Sequence, residues 1–328
     1  MGNARSVVPG ATRRRTVAGT TGRIDAVLAG AFGDLSRARI QRLIADGHVR
    51  LNGEPARKSA VVTAGDTIDL DIPPHPHEIP GGTLPSELRV LYEDAALVAI
   101  DKPAGLAVHG APGDTAPSVA AWMLRRLADS ASQFDAEHPG IVHRLDKDTS
   151  GVLLLAKTPS AQSALSAAFE ARTVAKTYLA ITDGVPNRRR AIIDAPIARH
   201  PADRTRMAVV RSGRPSRTAY EVLGEDHGRA LVVVHPETGR THQIRVHLAA
   251  IHCPVLFDRV YGSAGDGRQL LHAWRISAPH PEGGSLEVTA RLAADFAAFV
   301  RSTALEPLAS EYTENAAAVR DALSKSRE

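Results

Sequence analysis

Apolar residues recur along this chain with two periods, and the switches between them mark its elements. After Ser36, a plausible N-cap, Ile40, Leu43 and Ile44 alternate with Arg37, Arg39 and Arg42. That spacing predicts a helix with one apolar and one basic face, ended by Gly47. Val49-Arg50-Leu51 before Asn52-Gly53 predicts a strand entering a tight turn. Thr67–Ile72 then alternates strictly, as a strand with one buried face does. Leu88–Tyr92 and Leu97–Ile100, with a turn at Glu93-Asp94 between them, predict a hairpin. Residues 118–129 place Val119, Met123 and Leu127 on one helix face, and residues 160–171 do the same with Leu165 and Phe169. These positions assign Met123 and Phe169 to the core. Val152–Leu155 is a continuous apolar run, the mark of a strand buried on both faces.

Breaks in the pattern divide the chain. Residues 1–22 carry Arg5, Arg13, Arg14 and Arg15 before the first acidic residue, Asp25, and predict a solvated, disordered basic arm. Residues 23–72 form a small module. Pro73 to Gly82 is rich in proline and glycine, which predicts a linker over 73–87. A long region of short strands and helices follows over 88–301, and residues 302–328 form a tail, helical or frayed. Asp101-Lys102-Pro103-Ala104-Gly105 is a bend with a lysine at its corner.

Composition narrows the classes. With 328 residues and 43% apolar content, two domains and a sizeable core are within reach. The single cysteine, Cys253, excludes an intramolecular disulfide framework and points to a reducing, cytoplasmic setting. No apolar run is long enough to span a bilayer. The net charge of +4 suits a phosphate-rich partner. In the small module seven Lys/Arg balance seven Asp/Glu, yet the positive charge gathers on one helix.

The chemistry concentrates around residues 143–157. His143-Arg144-Leu145-Asp146-Lys147-Asp148-Thr149-Ser150-Gly151 runs directly into the apolar segment, placing a carboxylate at the mouth of a sheet with an arginine beside it. Further on stand Lys176-Thr177-Tyr178-Leu179-Ala180, Gly239-Arg240-Thr241-His242-Gln243-Ile244-Arg245 and Leu270-Leu271-His272-Ala273. Together these segments resemble the motifs of RluA-type pseudouridine synthases, which isomerise uridine to pseudouridine in structured RNA. The resemblance covers residues 23 to about 300. It implies Asp146 as the catalytic aspartate, Tyr178 as the ring that stacks on uracil, and Arg245 as the partner of the carboxylate. It also implies that Lys102, His143, Arg144, Leu145, Thr149, Arg240 and Leu271 line the RNA site. One stretch departs from the pattern: Gly-His-Pro and Gly-Asp are expected, but His252-Cys253-Pro254 and Phe257-Asp258 stand there, so the loop's geometry is in question. The small module resembles the S4 RNA-binding domain, which implies that Arg37, Arg39 and Arg42 face RNA phosphates.

Other classes lack their marks. The kinase-like His-Arg-Leu-Asp has no glycine-rich loop, strand lysine or Asp-Phe-Gly to accompany it. His242 and His247 lack the zincin glutamate. There is no Walker lysine loop and no Gly-x-Gly-x-x-Gly. The expected fold is α+β: a small α/β S4 module joined to a catalytic domain with a mixed, largely antiparallel sheet and a central cleft. The expected function is pseudouridine formation in RNA, with large-subunit ribosomal RNA as the expected substrate, by a monomer that uses no metal or cofactor and touches no membrane. A non-catalytic RNA-binding protein is the alternative of another class. A hydrolase using Asp146 would need a second carboxylate, and Asp148 is a poor candidate.

Overall fold

The computed structural model describes residues 12–32, 35, 37–72, 88–109, 116–134, 138–262 and 265–314. Ser36, the linker at 73–87 and the final residues 315–328 lie outside them, as do residues 1–11 and the side chain of Arg39. The described residues divide into two compact units. One gathers those numbered 1–84, 109–141 and 156–164, and the other those numbered 85–108, 142–155 and 165–328.

The first unit opens with β1 (Thr12–Val17), β2 (Gly22–Arg23), α1 (Ile24–Ala31), α2 (Arg37–Ala45), β3 (Val49–Leu51), β4 (Glu54–Pro55), β5 (Val61–Val62) and β6 (Thr67–Ile72). Four strands pair in the order β1-β6-β3-β4, and β2 pairs β5. Ile24, Leu28, Ile40, Val49 and Ile68 are fully buried at the centre of this module. The predicted signals act as expected: Gly47 closes α2 at φ 79°, and Asn52 and Gly53 turn the hairpin at φ 51° and 88°.

The disordered arm is a correction in part, since Thr12–Val17 is a strand. Arg13 and Arg15 stand directly opposite Asp71 and Asp69, and their Nε atoms reach those carboxylates at 2.8 and 2.6 Å. Read along the chain, the arginines look like a solvated run. Only pairing shows that they share the period of the acidic face of β6. The basic helix face is also partly engaged. Arg37 Nε bonds the buried carboxylate of Asp25 at 3.0 Å, with Gln41 Nε2 on the same oxygen at 2.6 Å and Arg23 on the other at 3.1 Å.

The same unit holds α3 (Val119–Leu127), followed by a 3-10 turn over Ala128–Gln133. Ser118 caps α3 through Ala121 N–H, and Val119, Met123 and Leu127 are buried as their spacing predicts.

The second unit is built on one nine-stranded mixed sheet. Its strands are β7 (Arg89–Glu93), β8 (Leu97–Lys102), β9 (Ser150–Ala156), β10 (Ala175–Asp183), β11 (Arg190–Asp194), β14 (Arg217–Asp226), β15 (Arg229–Pro236), β16 (Leu271–Pro279) and β17 (Ser285–Thr289). The order is β11-β14-β15-β10-β16-β9-β8-β7, with β17 on β16. A separate hairpin pairs β12 (Ile197–Arg199) with β13 (Met207–Val209). Helix α4 (Pro159–Glu170) precedes β10, α5 (Gln243–Ala250) follows β15, and α6 (Ala294–Arg301) and α7 (Glu306–Glu314) close the described chain.

Alternation along β10 and β15 sorts side chains onto two faces. Leu179, Ile181, Leu231 and Val233 pack against Phe296 and Val300 of α6, Tyr312 of α7 and Leu305 in the turn between them. Ala180, Val232 and Val234 pack against Ile244 and Leu248 of α5. Tyr178 has the parity of Ala180, so it falls on the α5 face.

Candidate active site

The loop carrying Asp146 is pinned on every side. The Lys147 carbonyl accepts Lys102 Nζ at 2.9 Å and Gly105 N–H at 3.0 Å. Arg268 Nη1 donates to the Asp148 carbonyl at 3.0 Å, and Gln269 Nε2 donates to Thr149 Oγ1 at 2.9 Å. The loop then enters β9 beside β16, where Gly151 sits at φ 113°. A Cβ there would lie 2.1 Å from the Ala273 carbonyl oxygen, so only glycine allows the strands to approach this closely. A carboxylate on so constrained a loop is pre-positioned.

Tyr178 reaches the same place from β10. The ladder with β16 slips between Thr177 and Tyr178, and such a bulge re-aims a side chain. Burial first, and the Asp146 charge second, push the Tyr178 phenol well above its ordinary pKa, so it holds its proton.

Helix α5 supplies Arg245, which is 7% exposed and serves two carboxylates at once. Its Nε and Nη2 grip Asp258 at 2.6 and 2.8 Å, and its Nη1 bonds Asp146 Oδ2 at 3.0 Å. Asp258 is fully buried and also accepts Val260 and Tyr261 N–H at 3.0 and 3.2 Å. Despite the burial, the guanidinium and these amides hold its carboxyl below the usual range. The Tyr261 ring lies under the Arg245 guanidinium at 5.0 Å and carries Arg206 at 5.3 Å. Asp258 thus fixes the fork by two bonds and leaves one nitrogen for Asp146.

His242 completes the cluster. It stands at the N-cap of α5 with φ 56°, a left-handed conformation. Its Nδ1 lies 2.8 Å from Tyr261 Oη and its Nε2 lies 3.9 Å from Asp146 Oδ1. The next turn is tied down by Gln243. That side chain accepts from Thr238 Oγ1 and Arg240 N–H and donates to the Arg217 carbonyl and Thr218 Oγ1. His247 is engaged elsewhere, with Thr218 Oγ1 and the Ala195 carbonyl.

These residues open onto a cleft of about 570 Å³, a volume that suits a nucleoside-sized group. The structure brings Asp146, Tyr178 and Arg245 to this cleft, with His143, Arg144, Leu145, Thr149, Arg240 and Leu271 along its wall. His143 is a wall rather than a donor to RNA. Its Nε2 accepts Leu154 N–H at 2.9 Å, its ring stacks on Phe169 at 4.6 Å, and burial lowers its pKa to about 3. Arg172, Arg214, Arg240 and Lys176 make the wall cationic, and burial together with Arg214 and Arg172 lowers the Arg240 pKa. Burial likewise lowers Lys176 to about 8.

Lys102 requires a correction. It is 0% exposed, and its ammonium donates to the Pro103, Leu106 and Lys147 carbonyls. It fastens the Asp146 loop from below and cannot face RNA. Phe169, assigned to the core from its spacing, is half-buried and lines the cleft.

Asp258, Tyr261 and His242 are functional candidates that the sequence alone left unassigned. Asp258 and Tyr261 stand in the very stretch that departs from the expected motif. Their signal was present as a carboxylate and an aromatic ring after a turn. Their partner, Arg245, is supplied by a helix that only the fold brings near.

Comparison with known proteins shows the family of the chain. A family model described as RNA pseudouridylate synthase matches residues 96–250, and an S4 domain model matches residues 22–68. The chain is 45% identical over 294 residues to an uncharacterized RNA pseudouridine synthase of Chloroflexus aurantiacus, covering 86% of this chain and 90% of that one. It is 39% identical over 279 residues to the ribosomal large subunit pseudouridine synthase D of Nitrosomonas europaea, covering 80% and 79%. Among solved structures it is similar to human RNA pseudouridylate synthase domain containing 4, with a TM-score of 0.52 and 30% identity over 65% of this chain and 92% of that one.

Proposed function

Since the chain belongs to the RNA pseudouridylate synthase family and is an RNA pseudouridine synthase, we propose that Asp146, Tyr178 and Arg245 are its catalytic residues and large-subunit ribosomal RNA its substrate. The observation that carries the assignment is the shared guanidinium: Arg245 Nη1 holds Asp146 Oδ2 while Asp258 locks the fork. The reaction breaks the bond from C1′ to N1, turns the base, joins C1′ to C5, and moves one proton from C5 to N1. No atom is gained or lost. Asp146 acts as the nucleophilic carboxylate, held in place by Arg245 at the edge of the cleft. Tyr178 stacks on the uracil while it turns. The cationic wall takes the flanking phosphates, and the S4 module adds a second docking surface. Support for the ribosomal substrate comes from relatives named ribosomal large subunit pseudouridine synthase D, at 39% identity in Nitrosomonas europaea and in Xanthomonas campestris.

The test is to incubate the protein with an unmodified large-subunit rRNA transcript. Pseudouridine is then mapped by carbodiimide labelling and primer extension, and strand breaks are scored in parallel. Conversion at one or a few uridines is expected, abolished by Asp146→Asn with RNA binding retained. Turnover by Asp146→Asn near the wild-type rate would remove the nucleophile assignment. Conversion of other RNAs with none in rRNA would remove the substrate.

A further inference from the structure

We propose that His242, together with Asp146, reads the ribose 2′-hydroxyl of the target nucleotide, so that the cleft selects a ribonucleotide through a positioning residue on α5. The inference rests on the functional reading above and goes beyond it by naming the group that His242 meets.

The argument begins with the tautomer. Tyr261 Oη accepts Met207 N–H at 2.9 Å and lies 2.8 Å from His242 Nδ1. A hydroxyl that accepts an amide proton keeps its own proton to donate, and Nδ1 is the acceptor beside it. With the Tyr261 hydroxyl donating to Nδ1, the ring proton sits on Nε2, the nitrogen turned toward Asp146. Burial keeps the imidazole below its ordinary pKa against the raising effect of Asp146 and Asp258, with Arg245 and Arg144 adding to the lowering. The ring is therefore a neutral donor at neutral pH.

The second step is a distance. His242 Nε2 and Asp146 Oδ1 are 3.9 Å apart, too far for a direct hydrogen bond. An oxygen about 2.8 Å from each fits between them, off the line that joins them. Arg245 occupies Oδ2, so Oδ1 is the oxygen that faces this gap. Whatever fills it must accept from nitrogen and donate to a carboxylate. Within an RNA chain the uracil carbonyls only accept and N3–H only donates. The 3′ and 5′ oxygens are esterified. The 2′-hydroxyl alone does both, and it neighbours C1′, where the bond to the base is exchanged.

The experiment is a cycle on one RNA stem-loop spanning a uridine mapped as above. It is made with ribose or with 2′-deoxyribose at that position only. Rates of pseudouridine formation and dissociation constants are measured for wild type, His242→Ala, His242→Gln and Tyr261→Phe, each checked for folding by its thermal transition. Removing the 2′-hydroxyl should cost wild type about tenfold, the scale of one hydrogen bond in a closed site. The same removal should cost His242→Ala several-fold less than wild type, because only the bond to Asp146 is then lost. His242→Gln, which keeps an N–H donor, should recover part of the discrimination, and Tyr261→Phe should lose part of it. Equal loss in wild type and His242→Ala, in rate or in affinity, would overturn the proposal and mean that water fills the gap. The dissociation constants decide the matter where the deoxy substrate is not turned over. Wild-type turnover of the all-ribose stem-loop tests the functional reading separately, so the two can fail independently.

Discussion

Arg245 shows how one side chain can be committed to two tasks. Lysine at this position would keep the charge but could not hold Asp258 by two nitrogens and Asp146 by a third. Arg245→Lys is expected to lower kcat by about 10²-fold, because the carboxylate loses its fixed partner. It should also cost about 2 kcal/mol of stability, since the buried Asp258 carboxylate loses part of its bonding. Denaturant midpoints and single-turnover rates check the two effects. A fully active, fully stable variant would contradict the shared-fork geometry. Tyr178 makes a complementary case. Its phenol is held protonated by burial and by Asp146, so it is a weak base in its own right, and any proton it takes requires its own to leave. Tyr178→Phe keeps the stacking ring. It should leave the dissociation constant for rRNA within about threefold while kcat falls by about 10²-fold, the scale of a lost proton-transfer group. Equal loss in binding and turnover would confine Tyr178 to stacking.

The end of α5 shows an element keeping a shape after losing its usual residue. Cys253 N–H bonds the Leu248 carbonyl and His252 N–H bonds the Ala249 carbonyl, each at 3.0 Å. This is the Schellman closure, with His252 in the left-handed position at φ 60°. The resemblance to related enzymes led us to expect glycine there and at Phe257, which sits at φ 64°. The backbone therefore keeps the glycine conformation at both positions and bears the strain. At Phe257 the ring is accommodated, since it packs edge-on to Phe299 at 6.3 Å, and a Cβ at Gly265 would come within 2.4 Å of it. His252 is exposed and has no comparable packing. His252→Gly should raise stability by about 1 kcal/mol, a shift of a few degrees in Tm, with activity unchanged. A lower Tm would mean that the imidazole makes a contact worth more than the strain.

At the scale of the molecule, charge is the organising quantity. The cleft wall carries Arg144, Arg172, Lys176, Arg214, Arg240 and Arg245 against Asp146, Glu170 and Glu237. Of these cations Lys176 is the one that titrates near neutral pH, because burial lowers it to about 8. Its charge is complete below that value and lost above it. RNA affinity should therefore fall as pH rises from 7 to 9.5, with the log–log salt slope shrinking by about one unit. Stability carries the opposite sign. The unfolded lysine, with a pKa of about 10.4, holds its proton longer, so Lys176 makes folding more favourable as pH rises through that window. Lys176→Arg should abolish the pH dependence of affinity. Equal pH dependence in both proteins would exclude Lys176 as the phosphate contact. Among the described residues no helix is long and apolar enough to cross a membrane.

Local chemistry was legible wherever the physical cause is local. Period-two alternation marked β6, and Asn52-Gly53 and Gly47 marked a turn and a helix end, because φ above zero is a property of single residues. The run from His143 to Gly151 was readable because its residues are consecutive in the chain and together resemble a motif of RluA-type pseudouridine synthases. Partnerships between distant segments could not be read. Arg13 and Arg15 looked solvated until β6 was laid against them. Lys102 looked like a surface cation until three carbonyls closed around its ammonium. Asp258 and His242 gained meaning only when α5 was packed on the face of the sheet that carries Tyr178. Propensity, turn chemistry and periodicity act between neighbours in the chain, so the sequence by itself determined them. Burial and the pairing of charges depend on distances in space, and those were decided by the tertiary structure alone.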